Sequence, residues 1–123
     1  SFKDPYPPKF LKTLHQYYPQ TFLTAEKDGR VIGYAVAITH TRNLGHVLSI
    51  AVHPNERRKG AGEALTFKML EVLKRLGVTD VRLEVRKSNT PAQRLYEKLN
   101  FRYSHTIRGY YGDEDALVYF KTL

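Results

Sequence analysis

A mostly apolar stretch, HVLSIAVH (His46 to His53), runs into NERRKGAGEAL (Asn55 to Leu65), and this join constrains the fold more than any other feature. The first part reads as a strand buried on both faces. A helix is predicted over Glu63 to Leu76, with Leu65, Met69, Val72, Leu73 and Leu76 on one stripe. Between strand and helix lies a turn that holds Arg57, Arg58 and Lys59 beside Gly60 and Gly62. Glycine lets a backbone approach a ligand closely, and the free N–H groups at a helix start favour anions. The segment therefore reads as a seat for phosphate. The plainer reading is a helix start that needs flexible residues.

Two familiar phosphate motifs do not fit. A dinucleotide fingerprint needs glycines spaced G-x-G-x-x-G, and Leu65 occupies the third place. A Walker-type loop needs Gly-Lys followed by Ser or Thr, whereas Lys59 precedes its glycine and no hydroxyl follows. Both mismatches argue against nucleotide hydrolysis.

The remaining pattern supplies a sheet around this unit. Phe10 to Tyr18 reads as a short helix ended by Pro19. Strands Thr21 to Ala25 and Val31 to Thr39 flank Asp28-Gly29, a hairpin signal. Glu71 and Arg75 have the spacing of a helical ion pair, and Gly77 stands where a glycine ends a helix. Over Val81 to Arg86, Val81, Leu83 and Val85 alternate with Arg82, Glu84 and Arg86. Thr90-Pro91-Ala92-Gln93 reads as a capping box opening a helix to Leu99, with Asn100 suited to its left-handed end. Phe101 to Ile107 and Ala116 to Lys121 read as strands around the loop RGYYGDED. The expected fold class is α/β (α+β), a mixed central sheet flanked by helices in a single domain over residues 1–123.

Composition narrows the partners. The formal charge of +8 fits either a solvated basic surface or an anionic partner: a polyphosphate cofactor, RNA or an acidic substrate. No aromatic-basic ribonucleoprotein motif is present, so nucleic acid is not expected as the primary partner. The absence of cysteine removes thiolate chemistry and fits a reducing, cytoplasmic location. No apolar run has the length of a membrane span. His15, His40, His46 and His105 lack metal-ligand spacing, so no metal is expected.

Taken together, SIAVHPNERRKGAGEAL, LEVRKSNTPAQRLYEKLNF and YYGDEDAL resemble the GNAT acetyltransferase superfamily over nearly the whole chain, from Phe2 to Leu123. The first segment matches the family's loop R/Q-x-x-G-x-G/A, and the likeness is strongest to protein N-terminal acetyltransferases, including those of a ribosomal-protein alanine. Family members usually begin with a further strand and most of a helix before the position of Phe2, which this chain lacks.

The resemblance implies acetyl-CoA as co-substrate. Its diphosphate would sit on Arg57, Arg58, Lys59, Gly60, Ala61 and Gly62, and its pantetheine arm would pair with Ile50, Ala51 and Val52 and with Asn89. Tyr96 would protonate the departing thiolate, and Glu84 would take the amine proton, with His53 and Glu56 in reserve. A thiol near about 8.5 and a phenol near about 10 make that donation sensible. Tyr6, Tyr110 and Tyr111 would line a slot for a protein or peptide N-terminus, a ribosomal protein among the acceptors, with Asp4 beside it. Plainer readings stay open: Asn89 as a turn residue, Tyr96 as core, Glu84 as paired with Arg82 or Arg86, and the tyrosines as surface residues. The alternatives to this enzyme are an acetyltransferase for a small amine or a lysine, a catalytically silent acetyl-CoA sensor, and a basic RNA-binding module.

Overall fold

The structure, a computed structural model, describes residues 6–41 and 43–123. In chain order the elements are α1 (Pro8–Tyr17), β1 (Phe22–Lys27), β2 (Arg30–Thr39), β3 (Leu44–Val52), a short 3₁₀ turn (Pro54–Glu56), α2 (Ala61–Arg75), β4 (Asp80–Arg86), α3 (Thr90–Lys98), β5 (Arg102–Ile107) and β6 (Ala116–Thr122). The six strands form one sheet in the order β1-β2-β3-β4-β6-β5. Only the β3–β4 pairing is parallel; the other four are antiparallel. This is the expected mixed α+β sheet.

The helices α2 and α3 cover one face. Leu65, Met69, Leu70 and Leu73 of α2 pack on Ala35, Val47, Val81, Leu83 and Val85, with Tyr96 and Phe101 closing the far end. Met69 and Leu73 are fully buried, and each contributes about 2–3 kcal/mol through lost apolar exposure. Asp28 and Gly29, both with positive φ, turn the β1–β2 hairpin as a two-residue loop requires.

Several local expectations need correction. The first helix begins at Pro8 rather than Phe10, because proline needs no N–H partner in a first turn. Helix α2 likewise begins earlier, at Ala61, and its buried stripe includes Thr66 and Leu70, while Leu76 lies beyond its end and is exposed. Glu71 pairs with Lys68 at 3.6 Å, not with Arg75. Helix α3 is capped by Asn89, whose side chain accepts from Ala92 N at 3.2 Å; Thr90 is already helical.

The strand β3 is not buried on both faces: Leu48 is 42% exposed. The register against β2 jumps from Ser49↔Val36 to Val47↔Ala37, so Leu48 is an inserted bulge residue. A bulge bends and twists its strand. The parallel pairing with β4 correspondingly spans only Leu44↔Asp80 to Val47↔Leu83. Beyond those pairs the two strands diverge, and the sheet opens between them.

Candidate active site

The opening exposes one edge of β3. His53 N donates to Ile32 O at 2.8 Å, which fixes the ladder alternation. Ala51 turns its peptide groups toward β2, so Ile50 and Val52 turn theirs into the opening. Arg57 Nε reaches this edge and donates to Val52 O at 3.0 Å.

At the end of β3 the chain reverses through residues of positive φ, Arg58 at 63° and Gly60 at 88°. Gly60 is the N-cap of α2, and no side chain caps that helix. The first-turn N–H groups are thus left for a ligand. Open space surrounds the position of a Cβ on Gly60, whereas one on Gly62 would make ordinary contact with Leu95 and Val52 at 3.8 Å. Backbone conformation demands glycine only at the first of these places. Ala61 supplies the first helical residue. Lys59 points to Glu56 at 3.6 Å, and Glu56 also holds Lys27 at 3.1 Å. The hydrogen bond from Lys27 chiefly keeps the Glu56 carboxyl below its usual range.

A cleft of about 900 Å³ joins these parts. Ile50, Ala51 and Val52 line one wall, Arg57, Arg58, Gly60 and Gly62 one end, and Asn89 and Tyr96 the opposite wall. Glu63, Arg86, Ser88, Pro91, Ala92 and Leu95 complete the lining; none of these was singled out as a site residue from sequence. Of the residues expected at the site, Lys59 and Ala61 on the turn, and Tyr6, Glu84, Tyr110 and Tyr111, do not line the cleft. A separate groove of about 600 Å³ beside Phe101 and Phe120 contains none of the expected residues.

Tyr96 enters the cleft from α3, where its ring meets Phe101 edge-on at 5.7 Å. Burial pushes its phenol up to about 12, with a smaller contribution from Tyr111. Glu84 approaches from the other face of the sheet, because its neighbours Leu83 and Val85 point into the helix-covered core. Both of its oxygens are engaged: His46 Nε2 lies 2.7 Å from Oε1 and Arg82 Nε 2.7 Å from Oε2. Burial would raise the carboxyl's pKa, but the bonds from Arg82 and His46 prevail and hold it below the ordinary value. His46 in turn stands 3.3 Å from His40, which is exposed. The plainer reading of Glu84 as paired with Arg82 matches this contact, but the sequence offered no reason to join His46 to Glu84. The parallel register does, since His46 pairs with Arg82, two places before Glu84.

Aromatic side chains gather in two groups outside the lining of the cleft. Tyr6 meets Tyr34 edge-on at 5.2 Å, and Phe10 joins them 5.5 Å from Tyr34. Tyr34 pairs with Ala51 across the closed edge of β3. In the second group, Tyr110 and Tyr111 pack edge-on at 4.9 Å. The Tyr111 phenol is raised first by burial and then by the charge on Glu84. Asp4 lies outside the described residues. His53 Nδ1 accepts from Asn55 N at 3.2 Å and so caps the 3₁₀ turn.

Residues 1–101 match the Acetyltransferase (GNAT) family. The chain belongs to that family. As a GNAT chain it is an acetyl-CoA-dependent N-acetyltransferase. It is 39% identical over 126 residues to an N-alpha-acetyltransferase of Sulfurisphaera tokodaii, a match covering 92% of this chain and 75% of that one. It is 33% identical over 123 residues to a putative [ribosomal protein bS18]-alanine N-acetyltransferase of Bacillus subtilis, covering 98% and 78%. Among solved structures, Ard1 from Thermoplasma volcanium superposes with a TM-score of 0.86 at 30% identity, covering 96% of this GNAT chain and 80% of its own. Among the described residues, no helix is long and apolar enough to cross a membrane, and no three His, Asp or Glu side chains gather as metal ligands.

Proposed function

We propose that this acetyltransferase acts on the α-amine of a protein or peptide N-terminus. The observation that carries the reading is the opening between β3 and β4, whose cleft Tyr96 lines from the helix face, with Glu84 on the opposite face of β4 just past the last β3–β4 pair. The uncapped start of α2 and the Arg57–Gly62 turn receive the coenzyme diphosphate, where first-turn N–H groups and the helix dipole favour an anion. The pantetheine arm lies along Ile50 to Val52 and displaces the Arg57 guanidinium from Val52 O. Asn89 keeps its carbonyl oxygen for Ala92 N and offers its amide NH₂ to the arm.

The acceptor nitrogen attacks the thioester carbonyl. A C–N bond forms, the C–S bond breaks, and the amine proton passes to Glu84. Through His46 the carboxylate is hydrogen-bonded to exposed His40, a route by which that proton reaches solvent. Tyr96, protonated at any physiological pH, donates to the departing sulfur. An α-amine with a pKa of about 8 is a modest demand for a carboxylate of low basicity, whereas a lysine at about 10.4 is a larger one. Tyr6, Tyr110 and Tyr111 flank the entrance and wall an extended N-terminus. The names of the relatives support the same acceptor class, and an alanine-started ribosomal peptide is the first substrate to try.

The test is acetylation of a peptide with a free N-terminus, set against the same peptide blocked at that amine but carrying lysine. Faster modification of the blocked peptide would replace this reading with a lysine acetyltransferase. Acetyl-CoA binding without turnover on either would replace it with a sensor.

A further inference from the structure

The loop between β5 and β6 is fastened to the last residue of β4 and to the residues that follow it. Arg86 Nη1 bonds Asp113 at 3.1 Å and Glu114 at 3.4 Å. Its guanidinium also lies over the Tyr111 ring at 4.3 Å. Next along the chain, Lys87 N donates to Asp115 O at 3.1 Å and Ser88 N donates to the Glu114 carboxylate. The loop is folded on itself as well, through Tyr111 N to Glu114 O at 3.1 Å and Gly109 N to Asp115 Oδ1 at 2.9 Å. On its other side the same segment is tied to α3. Gln93 Nε2 donates to Arg86 O and Lys87 O at 3.2 and 2.8 Å, and Asn89 N donates to Arg86 O at 2.9 Å. Arg86, Ser88 and Asn89 all line the cleft.

Arg86 therefore touches the tyrosine loop with its side chain while its carbonyl is held by the helix that carries Tyr96. A planar guanidinium can bridge two carboxylates and stack on a ring together, which an ammonium cannot. The ion pairs are exposed, so each alone contributes little to stability. Their number on one side chain points to geometry rather than to stability.

We propose that Arg86 is a positioning residue that couples the two substrate sites, so that acetyl-CoA seated against Ser88 and Asn89 sets the Tyr110–Tyr111 loop for the acceptor. The proposal rests on the acceptor reading above for the loop's role, but not for the coupling itself. Such coupling is reciprocal: each ligand tightens the other by the same factor.

The test uses the wild type, Arg86→Gln, Arg86→Lys, Asp113→Asn and the Arg86→Gln/Asp113→Asn pair. Acceptor KM should rise about tenfold in Arg86→Gln with kcat within about threefold, the pattern of lost ground-state binding. Asp113→Asn should raise KM less and add nothing on top of Arg86→Gln, and Arg86→Lys should recover only part. Hydrogen exchange across residues 109–115 should slow when acetyl-CoA is added to wild type and stay unchanged in Arg86→Gln. If wild-type exchange ignores acetyl-CoA, or the two substitutions add fully, the coupling is refuted. If wild type takes only a lysine amine, the acceptor reading falls, and the same KM and exchange measurements made with that amine still judge the coupling.

Discussion

On the proposed mechanism, Tyr96→Phe removes one hydroxyl and little else. The ring is 9% exposed and packs on Phe101, so phenylalanine keeps its volume and the fold. With the phenol pushed up to about 12, outright proton transfer to a free thiolate of about 8.5 runs uphill by some 3.5 units, or about 5 kcal/mol. Tyr96 therefore works mainly by donating a hydrogen bond while negative charge builds on sulfur. One such charge-assisted bond contributes about 1.5–3 kcal/mol, so kcat should fall about 10- to 150-fold. Steady-state kinetics with a saturating peptide measure that loss, and calorimetry should find the acetyl-CoA Kd within about threefold of wild type. No alkaline limb belonging to Tyr96 should appear below its raised pKa. A kcat within twofold of wild type would refute the role. So would a Kd that weakens in step with kcat, because the hydroxyl would then serve the ground state.

Gly60→Val forces a β-branched residue into φ 88° at a position that lines the cleft; acetyl-CoA Kd should weaken at least about tenfold, equal to about 1.4 kcal/mol, and unchanged calorimetry would remove the turn from the site. Gly33→Ala would put a Cβ 2.9 Å from Ala51 O and 3.2 Å from Leu65; a loss of about 1–3 kcal/mol follows, and an unaltered urea midpoint would contradict it. The folded-state pKa of Glu84 lies below its unfolded value of about 4.3, so its stabilisation is full above that pH and is lost as pH falls through the lower folded value. Urea midpoints of wild type and Glu84→Gln should therefore converge in acid, and a constant gap from pH 7 to pH 3 would argue against the ion pairs. In the same variant, activity should recover as pH rises through about 8, where the acceptor amine deprotonates unaided.

Regular elements were legible because their signals are local. The alternation of Val81, Leu83 and Val85 and the spacing of Leu65, Met69 and Leu73 each need only a few neighbours to be read. Asn100, at φ 70°, also takes the left-handed conformation its side chain tolerates. Leu48 was misread because a bulge residue is apolar like its neighbours, and only the register with β2 reveals it as an insertion. The pairing of His46 with Glu84 spans 38 residues and depends on a parallel strand register, which no short window contains. Arg86 was visible as one charge among many, and its partners are 27 and 28 residues away in a loop. Asn89 was misjudged by one place at the helix start because Asn and Thr both cap well and stand side by side.

Among the described residues, the two halves of the sheet are tied by the four residue pairs from Leu44↔Asp80 to Val47↔Leu83 and, just before them, by the bonds from Thr79 N and Asp80 N to Asn43 O. Past them the β3 edge carries peptide groups that have the spacing of a strand and lack a strand beside them. On the proposed reading, a ligand arm built with amides is recognised there by main chain, whose chemistry is the same for every residue type. Substituting Ile50, Ala51 or Val52 by another strand-forming residue alters packing but leaves that recognition written in place. Only a change that denies the edge its shape or its N–H, as proline does, erases it. The seam is thus a part of the protein whose specificity is nearly independent of its own side chains, which leaves the loops around it free to diverge toward different acceptors.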